Sequence, residues 1–271
     1  MRIAYFLAGI ITGAFFLSVH QPMLLLFSLF LVSCAFGDVL RKLGTSIALP
    51  AIIKFIVVAA LVGVLTEALA ILNNAGMTTS QVVSLNRLFS PAPWMDIVLG
   101  LGYYVPLAVV WFFLMKRFDY QVKDAFVAMG IFGIFSEGGG LVLLSLNPLM
   151  WAYAFAVHGS YMGIPAVIFA EDQAFAGRSR APRAKKILYG VAWSLLAFVA
   201  YTAWAALVAR LGLDVSGCGG TLLLVLLAAS CLILYAYARY KIHPGTCRPR
   251  ESGRSEKTHF GRHRPPARSR R

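Results

Sequence analysis

Two acidic residues, Glu67 and Glu137, lie well inside apolar stretches of the sequence. Placing a carboxylate at the centre of a membrane costs about 2.5 kcal/mol or more on insertion scales. Such residues therefore usually face the interior of a helix bundle or a cavity, where they bind protons or ligands. The alternative interpretation is structural, since a protonated or hydrogen-bonded glutamate can tie two helices together.

A histidine and several tyrosines occupy neighbouring apolar stretches. His158 lies near the middle of its stretch. A lone intramembrane histidine is more often a hydrogen-bonded packing residue than a proton-transfer group, but a pairing with Glu137 would reverse that preference and create an acid/base pair. Tyr103, Tyr104 and Tyr161 would add polar contacts to the same cavity. We therefore take Glu67, Glu137, His158, Tyr104 and Tyr161 as the candidates for a substrate or proton site.

Three glycines, at positions 138–140, follow Glu137 directly. Each glycine costs up to about 1 kcal/mol relative to alanine inside a helix. The glycines either unwind the helix and expose carbonyl groups beside the carboxylate, as in broken transporter helices, or form a smooth groove for close helix packing. We favour the groove as the simpler interpretation.

An internal repeat links the two acidic segments. Gly63 to Glu67 and Gly133 to Glu137 share the order glycine, two apolar residues, a hydroxyl residue and glutamate. The following segments match in the spacing of their tryptophan, glycine and tyrosine: Trp94, Gly102 and Tyr104 in the first, and Trp151, Gly159 and Tyr161 in the second. The pattern predicts a parallel duplication of a two-helix hairpin, over 47–115 and 125–170. Sites in repeated membrane folds tend to lie at the interface between the repeats.

The composition excludes an ordinary soluble protein. The chain has 271 residues, 59% hydrophobic and 13% charged, with a mean hydropathy of +0.73, whereas a soluble domain carries about 25% charged residues. Its apolar runs are continuous rather than alternating, which favours helices over the strands of a membrane barrel. We predict an all-α, polytopic transmembrane helical bundle with about eight spans, at 3–19, 23–39, 47–72, 97–115, 125–146, 149–170, 187–209 and 221–238. The first two runs are short and would form a tight hairpin or lie partly in the interface.

The basic residues predict an orientation. If the N-terminus is cytoplasmic, 22 of the 25 lysines and arginines fall on the inner side of this eight-span arrangement. That distribution follows the positive-inside rule, and the short loops show it independently of the tail. We predict a multi-pass protein of the plasma (cytoplasmic) membrane with both termini in the cytoplasm.

Four segments follow from these patterns: an N-terminal transmembrane helical pair (1–46), the repeated-hairpin core (47–172), a C-terminal transmembrane helical pair (187–238) and a disordered basic cytoplasmic tail (239–271). The tail and the loop at 178–186 are polybasic, so we expect them to contact membrane lipids through anionic headgroups at the cytoplasmic face. The tail has one aromatic residue, Phe260, and no folded platform for stacking bases, so we expect no specific nucleic acid.

No phosphate-binding loop, paired-histidine metal motif or nucleophile elbow occurs in the sequence, and its four cysteines lack metal-ligand spacing. We therefore expect no cofactor and no metal. The leading hypothesis is a small-solute or proton-coupled transporter with its two glutamates between the repeated hairpins. A membrane-embedded enzyme that acts on a lipid or isoprenoid substrate through Glu137 and His158, and a non-catalytic scaffold subunit, are the alternatives. The sequence does not identify the small molecule or lipid concerned.

Overall fold

A computed structural model of the chain describes residues 1–73, 93–169, 175 and 179–210. This part of the protein is helical, and its β-type pairing is limited to an isolated bridge between Phe118 and Ser179. Its helices are α1 (Arg2–Ser18), α2 (Leu25–Ala35), α3 (Gly37–Ser46), α4 (Ala51–Asn73), α5 (Pro93–Arg117), α6 (Val122–Ser136), α7 (Leu141–Leu144), α8 (Pro148–Phe169) and α9 (Arg183–Arg210). The eighth predicted span, at 221–238, and the tail lie outside the described residues.

Several of these helices are long and apolar enough to cross a membrane. Four stretches meet both criteria: Ala51–Asn73, Val122–Leu144, Pro148–Phe169 and Arg183–Ala203. A fifth crossing results if α2 and α3 together form one bent span. The prediction of an all-helical membrane protein agrees with this architecture.

The second predicted run, 23–39, is bent in the structure. The helix that begins in the 3₁₀ turn at Pro22–Leu24 ends at Ala35, and α3 leaves it at an angle of 83°. The bend falls where the sequence changes from apolar residues to Asp38, Arg41 and Lys42. Charged groups are costly in hydrocarbon, so the chain turns as the polar residues begin.

Small residues allow the N-terminal helices α1 and α2 to pack closely. A Cβ built at Gly9 would lie 2.7 Å from Val32 Cγ2. The Thr12 and Ser28 hydroxyls are 3.0 Å apart and hydrogen bond across the interface. Small and hydroxyl residues are typical of helix contacts in membranes. These contacts agree with the tight hairpin predicted for the first two runs.

Helix α8 is the most enclosed of the long apolar helices. In the most apolar 18-residue stretch of α8, 67% of the residues are buried, compared with 22% in the corresponding stretch of α9. It contacts α2, α3, α4 and α6. Helix α5 packs against α4 and α9, and its buried Trp111 donates an indole hydrogen bond to Ser194 Oγ on α9 at 3.0 Å. The functional candidates therefore lie on helices that surround or form the centre of the bundle.

The glycines after Glu137 break the helix. All three have left-handed backbone angles, with φ of 58° at Gly138, 66° at Gly139 and 94° at Gly140. Glycine adopts such angles without the Cβ clash that other residues meet. Helix α6 therefore ends at Ser136 and the short α7 resumes at Leu141. The expectation of a smooth packing groove at 138–140 was wrong, and the unwound alternative describes the segment.

Buried ion pairs connect the start of α6 to the start of α9. Asp124 is 1% exposed, and its carboxylate lies 2.7 Å from Lys186 Nζ and 2.9 Å from Arg183 Nε. Lys186 Nζ also donates to the backbone carbonyl of Asp119 at 2.8 Å. Burial raises the pKa of the nearby Tyr120 phenol, and the Asp124 charge raises it further. Tyr120 therefore remains protonated and donates to the Lys186 carbonyl.

This cluster removes one lysine from the surface through which the loop at 178–186 is predicted to contact lipid headgroups. Lys186 is 5% exposed and occupied by protein acceptors, so it is not free to meet a headgroup. Lys185, its neighbour, is exposed. Sequence position alone does not distinguish the two lysines, because their difference arises from the way α9 packs on α6.

Candidate functional site

The structure brings Glu137 and His158 together. Glu137 follows the last residue of α6, and His158 lies in the middle of α8. Glu137 Oε2 is 2.7 Å from His158 Nε2, a distance typical of a charge-assisted hydrogen bond. The His158 side chain is 16% exposed and that of Glu137 is 44% exposed. The imidazole is therefore more enclosed than the carboxylate.

The helix break and a glycine position this pair. A Cβ built at Gly133 would lie 2.5 Å from His158 Cδ2, so only glycine leaves space for the imidazole at this approach. Unwinding after Ser136 turns the Glu137 backbone to an extended conformation, with ψ of 129°. Beyond the break, the Trp151 indole donates to the Val142 carbonyl at 2.8 Å and stabilises the end of α7.

The second glutamate has an analogous environment between α4 and α5. The Tyr104 hydroxyl donates to Glu67 Oε1 at 2.9 Å. A Cβ built at Gly63 would lie 2.6 Å from Tyr104 Cγ, and one built at Gly100 would lie 2.8 Å from Glu67 Cγ. Both glutamates therefore hydrogen bond to a ring on the next long helix, and in both cases the ring lies over the glycine one turn earlier.

The two environments differ in the partner ring. His158 lies one turn before Tyr161, and Leu101 occupies the corresponding position in the first segment. Tyr161 is 1% exposed and donates to the backbone carbonyl of Tyr104 at 3.3 Å. Its ring centroid lies 4.8 Å from that of Tyr104. Tyr161 therefore joins α8 to α5, and Glu137 hydrogen bonds to a histidine whereas Glu67 hydrogen bonds to a tyrosine.

Tyr103 lies between the two acidic centres. Its ring packs against Tyr104 and Phe132 and carries a hydroxyl group. That hydroxyl is buried and has no hydrogen-bond partner among the described residues. A buried polar group without a partner costs about 1–3 kcal/mol, so this atom favours a polar ligand or water. The Ser136 hydroxyl, next to Glu137, is buried and unpartnered in the same part of the chain.

Aromatic rings connect the two glutamates. The Tyr103 centroid lies 5.2 Å from that of Tyr104, beside Glu67, and 6.4 Å from that of Phe132. Phe132 lies 5.8 Å from the His158 ring, beside Glu137. Helix α9 closes this row, with Tyr201 and Phe198 at 6.0 and 5.9 Å from Tyr103.

Sequence reasoning missed this contribution of α9. The sequence predicts 187–209 only as part of a C-terminal helical pair, and an isolated tyrosine in an apolar run is a weak signal. A polar aromatic residue in the run, Tyr201, was the one available indication. Its role depends on the packing of α9 against α5, which periodicity does not determine.

No group of three or more His, Cys, Asp or Glu side chains in the described part of the chain could hold a metal ion. The site can exchange a proton between a carboxylate and an imidazole, and it can bind through hydrogen bonds and ring contacts. Comparisons with protein-family models, curated proteins and solved structures gave no match to this chain. Fold and site therefore define a class only, a helical membrane protein with a carboxylate–histidine pair at a broken helix.

Proposed function

We propose that the protein is a proton-coupled transporter of a small solute, with Glu137 and His158 as its proton-exchanging centre and Glu67 as a second acidic group. The observation that carries the proposal is the 2.7 Å contact between Glu137 and His158 beside three unwound glycines. Broken helices in transporters place backbone and acidic groups at substrate and ion sites. Irregular backbone at membrane depth persists where protein or water surrounds it.

In this proposal, solute transport is coupled to proton movement because the site exchanges a proton for a solute. An imidazole and a carboxylate in hydrogen-bond contact can pass one proton between them. Solute binding at Glu137 favours release of that proton, and solute departure favours its return. Tyr103 lies near both glutamates and supplies a hydroxyl for the solute.

The proposal includes the eight-span topology, in a plasma membrane with both termini in the cytoplasm. Helices overlap the first seven predicted spans, and 22 of 25 basic residues lie on the proposed inner side. The exposed basic residues at that face would meet anionic lipid headgroups. We also propose the parallel duplication, which is supported by the recurrence of a glycine, a ring and a glutamate in α4–α5 and α6–α8.

A flux experiment tests the transporter. The full chain is reconstituted into vesicles that contain a pH dye, a pH gradient is imposed, and amines, amino acids, sugars and carboxylates are added in turn. We expect at least one solute to dissipate the gradient with the wild type and not with Glu137→Gln or His158→Asn. Asp38→Asn, which alters an acid in α3, serves as the control and should retain the flux. If no solute class moves protons, the proposal is wrong.

A membrane-embedded enzyme that acts on a lipid or isoprenoid substrate is the second candidate. It is favoured by the same Glu137–His158 pair, which has the distance of a general acid/base couple, and by the 44% exposure of the Glu137 side chain. Mass spectrometry of native lipid extracts after incubation with the protein separates the two. Conversion of a lipid by the wild type, lost in Glu137→Gln, would favour the enzyme. If both assays are silent and the variants lose stability, the glutamates only tie helices together, as in a scaffold.

A further inference from the structure

We infer that α3 (Gly37–Ser46) lies flat in the membrane surface, with one side sunk into the boundary between the lipid headgroups and the acyl chains. This inference assigns a lipid-binding surface to a helix that the transport proposal does not use. It rests on the proposed topology only for the choice of leaflet, which is the cytoplasmic one.

Helix α3 lies across the end of α8 rather than along it. A Cβ built at Gly37 would lie 3.4 Å from Val167 Cγ1, and one built at Gly44 would lie 2.8 Å from Ile168 Cγ2. The two glycines are about 10 Å apart along their helix axis at 1.5 Å per residue, yet the residues they meet are neighbours in α8. Helix α3 also leaves α2 at 83°. Because α8 is long enough to cross a membrane, a helix transverse to it lies near the membrane plane.

The ends of two long apolar helices fix the depth of α3. Its glycines pack beside the last turn of α8, which ends at Phe169. At its other side, Lys54 in the first turn of α4 donates to the Gly44 carbonyl at 3.0 Å. Helices that cross a membrane begin and end near its surfaces. Helix α3 therefore lies at the level where α8 leaves the membrane and α4 enters it.

An exposed apolar strip follows one side of α3. Val39, Leu43 and Ile47 are spaced four residues apart, so they line up one helical turn from each other. These residues are 54%, 58% and 48% exposed. Single exposed apolar residues are common, but a contiguous strip is typical of a surface that contacts a membrane or another protein.

Polar residues occupy the opposite side of the helix. Lys42 and Thr45 are exposed, and Asp38 pairs with Arg41. At 3.6 residues per turn these four positions are centred opposite Leu43, and the two glycines that pack on α8 lie between the two sides. One face therefore meets the protein, one is apolar and one is polar. This is the arrangement of an amphipathic helix that lies in a membrane interface beside a helix bundle.

The charge of α3 favours a lipid surface as the partner of the strip. Arg41 and Lys42 exceed Asp38 by one positive charge, and Lys42 lies one turn from Val39, at the edge of the strip. Basic side chains at such an edge reach the headgroups while their apolar neighbours enter the acyl region. Anionic headgroups attract them further.

Spin labelling of the full chain in lipid vesicles tests the inference. In a variant whose four cysteines are replaced by serine, single labels are attached at Val39→Cys, Leu43→Cys and Ile47→Cys on the strip, and at Lys42→Cys and Thr45→Cys on the polar side. All these positions are exposed, so the labels should not disturb the packing of α3. Relaxation by oxygen, which dissolves in lipid, is compared with relaxation by a water-soluble nickel chelate. The ratio of oxygen to nickel accessibility at Leu43 should exceed that at its neighbour Lys42 by about threefold or more.

Three results would overturn the inference. Equal access of nickel to both sides would mean that the strip faces water. Shielding of all the labels from nickel would mean that α3 belongs to a crossing segment. Shielding of the strip from both reagents, with spin–spin broadening that disappears when the protein is diluted in lipid, would assign the strip to a second copy of the chain.

The leaflet is measured separately, so the topology and the flat helix fail separately. A membrane-impermeant maleimide is added to intact expressing cells and to inside-out vesicles that carry Lys42→Cys. Reaction in the vesicles alone is expected. Reaction in intact cells would refute the cytoplasmic position of α3 and leave its in-plane orientation standing, whereas the loss of the alternating label pattern would refute the orientation whatever the leaflet.

Discussion

Two groups of charged side chains lie at the two ends of α6, and they are built differently. At the start of the helix, Asp124 meets both Lys186 and Arg183, so one carboxylate has two cations within 3 Å. After its end, Glu137 meets one imidazole, and its side chain is 44% exposed against 1% for Asp124. The complete pairing and burial of Asp124 are typical of charged groups that only stabilise a fold, and we call Asp124, Lys186 and Arg183 the structural lock. Glu137 is incompletely paired and partly exposed, so it remains available for a ligand.

The contrast extends to the neighbouring backbone. Asp124 lies within a regular helix whose start has a capping box with Gln121. Glu137 precedes three residues in left-handed conformation. A partly paired carboxylate inside a helix bundle carries a free-energy cost, whereas glycine adopts left-handed backbone angles freely. Such costs often occur at functional positions, because binding needs groups that are not already satisfied.

Lys186→Met should have the largest effect on stability. It leaves Asp124 buried with Arg183 alone, and removal of one member of a buried ion pair costs about 3–5 kcal/mol. Lys185→Met is the matched control, since its lysine is the exposed neighbour and should cost less than about 0.5 kcal/mol. Denaturant unfolding in detergent measures both. Equal effects would contradict the distinction between the two lysines.

Gly133→Ala should have the next largest effect. The added methyl group would lie 2.5 Å from His158 Cδ2, so the ring must move away from Glu137. Overpacking of this kind costs about 1–3 kcal/mol. The control is Gly13→Ala, where the nearest atom would be 3.5 Å away and the change should be neutral. Unfolding measurements, together with the vesicle flux, would show whether the ring position matters for function as well as stability.

Tyr120→Phe sharpens the comparison at the lock. The phenol donates to the Lys186 carbonyl, and burial keeps its pKa raised so that the donor persists into alkaline solution. Loss of this hydrogen bond should lower the free energy of unfolding by about 1 kcal/mol and leave proton flux unchanged. Reduced flux at full stability would mean that the lock also takes part in function.

Arg2→Ala should have the smallest effect. Arg2 pairs with Asp38, but their side chains are 72% and 41% exposed. Water and salt screen such a pair, so its loss should cost less than about 0.5 kcal/mol, and even less in high salt. A large loss of stability would mean that exposure does not separate weak from strong ion pairs in this protein.

The local sequence predicted where the helices lie better than it predicted which residues contact one another. Apolar runs of sufficient length anticipated the long helices α4, α5, α8 and α9, because spanning length and composition are local properties. The sequence indicated that His158 would be a functional residue only if it paired with Glu137. The structure brings these two residues together. The bend at Phe36 and the inward turn of Lys186 were not predicted, since both depend on neighbours distant in sequence.

The glycine segment shows a different limit. Three consecutive glycines permit either a groove or a break, and composition cannot choose between them. In the structure the break places Glu137 beside His158. The participation of Tyr201 and Phe198 likewise depends on where α9 packs, which no local pattern specifies.

Glu137→Gln tests the central claim most directly, with unfolding and solute-linked proton flux measured on the same preparation. The amide keeps the shape and an acceptor for His158, so the free energy of unfolding should remain within about 1 kcal/mol of the wild type. Proton flux should be lost. A variant that unfolds as readily as Lys186→Met while its folded fraction keeps full flux would show that Glu137 is a structural tie, as Asp124 is.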